Sequence, residues 1–215
     1  MKRSIRTCAV CLTLVLLLSA LTGCSSGRAF EPTGNGLYVS RDGVISTAFI
    51  VDVDESYYSE EDMRTFCETE VSEFNASQGA SATAYQDNAA EDETLPVAIE
   101  SFTYGDQAQL ILTYASTDAY LAFNADDPAS ATALMYAEAQ NTVGMPEISL
   151  VSVEDGSRVA AGSVVGDDRL KILMVEGAVN VQVQGRLVYT SENVTVTGED
   201  TATTSADGSS YLVFR

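Results

Sequence analysis

Leu170-Lys171-Ile172-Leu173-Met174-Val175-Glu176-Gly177-Ala178-Val179-Asn180-Val181-Gln182-Val183-Gln184-Gly185-Arg186-Leu187-Val188-Tyr189 is the stretch that decides the fold of this chain. It holds three short apolar or alternating runs cut by Gly177 and Gly185. Each is too short for an ordinary helix and rich enough in valine for a strand. The same grammar continues on both sides from Glu147 onward: Ile148 to Val153, Val159 to Val164, Val194 to Val196 and Tyr211 to Phe214, punctuated by Gly156, Gly166, Gly198 and Gly208. Regular turn signals at this interval predict antiparallel β structure in the C-terminal third.

Upstream, strands and helices mix. Leu37 to Ser40 and Val44 to Val53 flank Arg41-Asp42-Gly43, and Asp-Gly between two β-rich runs predicts a hairpin, expected at the first sheet edge. Ser59 offers a hydroxyl N-cap, with Glu60, Glu61 and Asp62 at the positive end of a helix dipole. Met63, Phe66, Cys67, Val71 and Phe74 follow at three- and four-residue steps, with Gly79 as terminator. Ala80 to Thr94 lacks periodicity and reads mostly as an exposed connection. Leu95 to Tyr104 and Gln109 to Ala115 predict a second hairpin around Gly105-Asp106. Ser116 or Thr117 caps a short helix carrying Tyr120, Leu121 and Phe123. Asp127-Pro128 reads as the cap and first turn of a further helix to about Asn141, with Leu134, Met135, Ala137 and Ala139 on its apolar side. The expected fold is therefore α+β: an antiparallel sheet with two or three helices packed on one face and a β-rich C-terminal third.

The N-terminus carries an address. Lys2, Arg3 and Arg6 precede an apolar stretch from Thr7 to Ala20, the length of a signal-peptide core and too short for a comfortable membrane span. Leu21-Thr22-Gly23-Cys24 follows and resembles the lipobox of bacterial lipoproteins. That resemblance implies cleavage before Cys24, a lipid on its sulfur, and localisation on the cell membrane facing away from the cytoplasm. Residues 1–23 are then the signal peptide, 24–35 a lipidated cysteine and polar tether broken by Pro32 and Gly34, and 36–215 an acidic α+β domain. Whether 147–215 forms a subdomain of its own is left open by the sequence. Cys8 and Cys11 fall in the signal segment, so Cys67 is the one thiol of the folded part, and its place on the helix stripe marks it as a small core hydrophobe.

Charge and composition exclude several functions. The chain has 11 Lys plus Arg against 31 Asp plus Glu, a formal net charge of −20. Cleavage would remove Lys2, Arg3 and Arg6 and no acid. Such a surface repels phosphate backbones, so nucleic acid is not expected as a partner, and the lipid on Cys24 is expected to be the sole membrane attachment. His is absent, which removes the usual general base and the commonest transition-metal ligand. Lys171 is the only lysine after the signal segment, and its apolar run suggests an outward strand position rather than a catalytic one. Neither a phosphate loop nor any cofactor motif occurs. Asp52-x-Asp54-Glu55, Asp126-Asp127 and Asp167-Asp168 supply oxygens suited to calcium, yet none has a calcium-loop spacing. Tyr57-Tyr58 beside the first helix reads as packing or as a partner-facing pair.

Asp54-Glu55-Ser56-Tyr57-Tyr58 before the acidic helix ending near Phe74-Asn75, Tyr120-Leu121-Ala122-Phe123-Asn124, and the terminal Tyr211-Leu212-Val213-Phe214-Arg215 together resemble uncharacterised lipoproteins of clostridial-type bacteria. The resemblance implies a lipid anchor and a folded mature part; it brings no catalytic or ligand residues. The expected function is a non-catalytic binding or interaction module at the cell envelope, with an envelope protein or a cell-wall component as partner. A small-ligand-binding lipoprotein associated with transport is one alternative, and a carboxylate-dependent cell-wall or glycan hydrolase is another.

Overall fold

The computed structural model describes residues 30–32, 34–53 and 59–215. Cys24, the lipobox, Asp54, Glu55 and Tyr57-Tyr58 lie outside the described residues. The fold is α+β and rich in strands, with its antiparallel structure divided between two sheets rather than gathered in one.

Chain order gives β1 (Gly36–Val39), β2 (Ile45–Asp52), α1 (Glu60–Ser77), β3 (Val97–Thr103), β4 (Gln107–Tyr114), α2 (Thr117–Phe123), β5 (Ala133–Glu138), β6 (Ser149–Ser152), β7 (Arg158–Ala160), β8 (Lys171–Glu176), β9 (Asn180–Val183), β10 (Leu187–Ser191), β11 (Thr195–Val196), β12 (Thr201–Thr203) and β13 (Ser209–Phe214). The seven-stranded sheet runs β11-β12-β9-β1-β2-β4-β3 and the six-stranded sheet β5-β8-β13-β10-β6-β7. Every pairing is antiparallel except β1 with β9.

The hairpin around Arg41-Asp42-Gly43 forms as its turn signal predicts, but it does not make a sheet edge. The C-terminal β9 adds alongside β1, which moves the hairpin to the sheet centre. Residues from the tail thus enter both sheets, and one core joins them. Leu37, Val39, Ile45, Leu112, Val181 and Val183 of the larger sheet meet Leu134, Leu173, Val175, Leu187, Leu212 and Phe214 of the smaller. Burial of each such side chain contributes about 1.5–3 kcal/mol. On the far face of the six-stranded sheet, Ile172 and Val213 pack under Ala139, Leu150, Ala161, Val164 and Leu170. Burial on both faces explains why β8 and β13 read as nearly unbroken apolar runs rather than as an alternation.

Both helices start where their hydroxyl caps predict. Ser59 Oγ accepts from the Asp62 amide, and Ser116 Oγ from the Ala119 amide. They cover the part of the larger sheet's inner face that the smaller sheet leaves open. Phe74 of α1 meets Phe123 of α2 edge-to-face at 5.1 Å, and Tyr114 of β4 meets Tyr120 of α2 at 5.2 Å. The α1 stripe is rotated from the expected one: Val71 and Asn75 are buried while Phe66 is 65 % exposed. Asn75 bridges the helix to β3, its amide donating to the carbonyls of Thr83 and Val97 while its Oδ1 accepts from the Val97 amide. The connection after α1 is less exposed than expected, because Ala84 and Leu95 are buried and Glu93 binds the Ser81 amide and hydroxyl.

The helix expected from Asp127 to Asn141 is absent. Asp127 accepts from the Ala129 amide and the Ser130 hydroxyl, closing a turn instead of capping a helix. Leu134-Met135-Tyr136-Ala137-Glu138 then pairs along β8 as an edge strand, with Leu134 buried and Met135 half-exposed. Cross-strand pairing outweighs the helix propensity of Leu, Met and Ala here.

Candidate functional site

The β1–β2 turn, the start of β8, the start of β10 and the end of β13 converge at one end of the sandwich. They enclose an open cleft of about 520 Å³ lined by Arg41, Arg169, Lys171, Gly185, Arg186 and Arg215. Five of the seven Lys and Arg side chains among the described residues therefore line one feature of a chain whose net charge is −20.

Two of the five are neutralised locally. Lys171, only 15 % exposed, pairs with Glu138 at 2.7 Å across the β5–β8 ladder, so it is covered rather than outward. That contact lowers the Glu138 pKa and raises that of Lys171. Arg169 donates from both its Nε and Nη2 to Asp167, which also accepts the Arg169 amide. These bonds hold the Asp167 carboxyl down at about 2. Asp42 acts on Lys171, and Asp168 on Arg169, through space.

The other three, Arg41, Arg186 and Arg215, are exposed and have no ion pair among the described residues. Their backbones are fixed. The Arg41 amide donates to Gln184 Oε1 at 2.9 Å, and its carbonyl accepts from the Tyr136 hydroxyl at 2.6 Å. The Tyr136 ring packs where a Gly43 side chain would stand, and Gly43 has φ +81°. Arg186 and Arg215 exchange both backbone hydrogen bonds, at 3.0 and 3.1 Å, one residue beyond the Leu187–Phe214 pair. They are therefore directly opposed across the strands, an arrangement in which like charges are destabilising. Gly185, at φ +123°, lets the Arg215 carbonyl approach closely.

A second open feature is apolar, about 540 Å³, between α1 and the β2–β4–β3 end of the sheet. Phe49, Val51, Met63, Phe66, Cys67 and Phe102 are among the residues lining it. Arg64 stands over the Phe102 ring at 4.6 Å and pairs with Glu60. Cys67 is half-buried and its pKa is raised by desolvation, the opposite of what an activated thiol requires.

The acidic candidates do not converge. No group of three or more Asp, Glu or Cys suited to a metal ion occurs among the described residues. Asp126-Asp127 is taken up by a turn and Asp167 by Arg169. The carboxylates with displaced pKa values, Glu93, Glu138, Asp155 and Asp167, all move down, each because hydrogen bonds favour its ionised form. Sequence reading missed the basic cleft because its residues are scattered from 41 to 215; the nearest linear signal is Arg169-x-Lys171. No protein-family model matches this chain, and no curated protein or solved structure matches it.

Proposed function

We propose that this chain is a non-catalytic binding module held on the outer side of a membrane by a lipid on Cys24, and that it binds its ligand in the basic cleft. The observation that carries the binding reading is the set of three guanidinium groups without an ion pair among the described residues, around one cleft in a strongly acidic chain. Guanidinium groups without carboxylate partners are poised for an external anion. The hydrolase alternative asks for an acid held protonated near neutral pH, whereas each displaced carboxylate among the described residues is held ionised. Basic side chains brought to one open feature by four elements support an anionic ligand. The anchor reading rests on Leu21-Thr22-Gly23-Cys24 after its charged and apolar leader.

Two measurements test the two halves. Metabolic labelling with an alkyne palmitate analogue should mark the wild-type chain and not Cys24→Ser, and added protease should digest the folded part on intact cells. Equal labelling of both chains refutes the anchor. A melting screen against anionic metabolites and wall fragments should raise the wild-type transition by mass action, and not that of Arg41→Gln/Arg186→Gln. Equal shifts in both chains refute the cleft as the binding site.

A further inference from the structure

We propose that the ligand of the basic cleft carries a phosphoryl group with at least two negative charges, bound by Arg41, Arg186 and Arg215. The inference rests on reading the cleft as a binding site and adds the chemical class of what occupies it.

The first argument is charge. Arg169 and Lys171 are each tied to a carboxylate, while among the described residues Arg41 and Arg186 have no ion pair and Arg215 acts on Asp167 only through space. A single carboxylate brings one charge and two oxygens in a plane, matching one guanidinium fork. A phosphoryl group brings close to two charges and three acceptor oxygens in a tetrahedral array, which suits forks arriving from different directions. Here the three side chains belong to three elements, the β1–β2 turn, the start of β10 and the end of β13.

The second argument is the Arg186–Arg215 opposition. The reciprocal backbone bonds leave these like charges side by side, a repulsive arrangement without an anion between or above them. Gly185 permits it by letting the strands close where a side chain would hold them apart. Bound phosphate removes the repulsion. The general acidity of the chain does not forbid this, since exposed charges more than about 8 Å away are largely screened at physiological salt.

The test is calorimetric titration of the full chain in mild detergent with pyrophosphate, glycerol 3-phosphate and tricarballylate. Pyrophosphate stands for a free phosphorylated ligand, glycerol 3-phosphate for a lipid head group ending in a phosphomonoester, and tricarballylate for a polyanion without phosphorus. The expected result is binding of at least one phosphoryl probe. Arg186→Gln and, separately, Arg41→Gln should weaken it by about tenfold each, the loss of one charge-assisted contact. Arg158→Gln should leave it unchanged, because Arg158 pairs with Glu192 and is not among the cleft residues. Stronger pyrophosphate binding identifies a free phosphorylated ligand and stronger glycerol 3-phosphate binding a phosphomonoester head group; either supports the proposal. Tricarballylate binding as tightly as both would overturn the phosphoryl assignment while leaving the cleft a binding site. No binding by any probe, or equal weakening by Arg158→Gln, would overturn the assignment and the cleft reading together. Thermal melts separate loss of contact from loss of fold, and Arg41 and Arg186 lie on different elements, so a folding defect in one leaves the other informative.

Discussion

Gly185→Ala is the perturbation that tests the fold and the cleft at once. A Cβ at this position would stand 2.1 Å from the Arg215 carbonyl oxygen, 2.9 Å from its carbon and 3.0 Å from Arg41 Nη2. Arg41 can swing away, whereas the Arg215 backbone is held by its two bonds to Arg186 and can yield only by loosening them. Ordinary van der Waals separation requires the strands to part by about 1 Å or more. That carries the reciprocal bonds between Arg186 and Arg215, now 3.0 and 3.1 Å, beyond hydrogen-bonding range. Two such bonds contribute about 0.5–1.5 kcal/mol each. A φ of +123° adds about 1–3 kcal/mol of strain for a residue with a side chain. The expected loss is thus about 2–6 kcal/mol, against a total stability of about 5–15 kcal/mol. A urea titration reads it as a lower midpoint with an unchanged slope. Pyrophosphate affinity should fall in the same variant under conditions where it remains folded, because Arg186 and Arg215 are no longer side by side. A stability change below about 1 kcal/mol would refute the strand-parting argument.

Three further outcomes follow from particular contacts. Asn75→Ala removes the acceptor of the buried Val97 amide and the donor to the Val97 and Thr83 carbonyls, so urea unfolding should report a loss of about 3–5 kcal/mol. Tyr136→Phe deletes the bond to the Arg41 carbonyl and should cost about 1 kcal/mol by the same assay, while weakening pyrophosphate binding severalfold as the β1–β2 turn loosens. Asp155 and Asp167 both titrate near 2 in the folded chain, below the usual carboxylate value of about 3.9. Their folded pKa values are depressed, so the stability they contribute is fully present above about pH 4 and is lost as pH falls toward 2. Melting temperature followed through that window should drop, and Asp155→Asn should make the drop shallower.

Local chemistry made much of the fold readable. Arg41-Asp42-Gly43 gave its turn, Ser59 and Ser116 gave their caps, and the glycines after Glu147 separated most of the tail strands. What failed were decisions made at long range. Leu134 to Glu138 carries residues as comfortable in a helix as in a strand, and only β8 alongside settles the matter. The polar β12, Thr201–Thr203, buries only Ala202, and three residues are too short an alternation to read as a strand. The position of the hairpin depends on β9 arriving from some 140 residues away, which no local window contains. The basic cleft is the extreme case, since net charge averages over the whole surface and hides a cluster assembled by the fold.

The contrast between net charge and local charge also bears on the size of the ligand. Phosphates along a nucleic-acid duplex recur at a charge spacing of about 1.7 Å along the axis, and tight binding neutralises several of them. The cleft offers three unpaired guanidinium groups, with Asp42, Glu138, Asp167 and Asp168 close at hand. An extended polyanion seated there would press its flanking phosphates against these carboxylates. A compact anion would meet the guanidinium groups with fewer of its charges set against those carboxylates. On the proposed reading these acids disfavour a long strand and leave the cleft to a short, densely charged ligand.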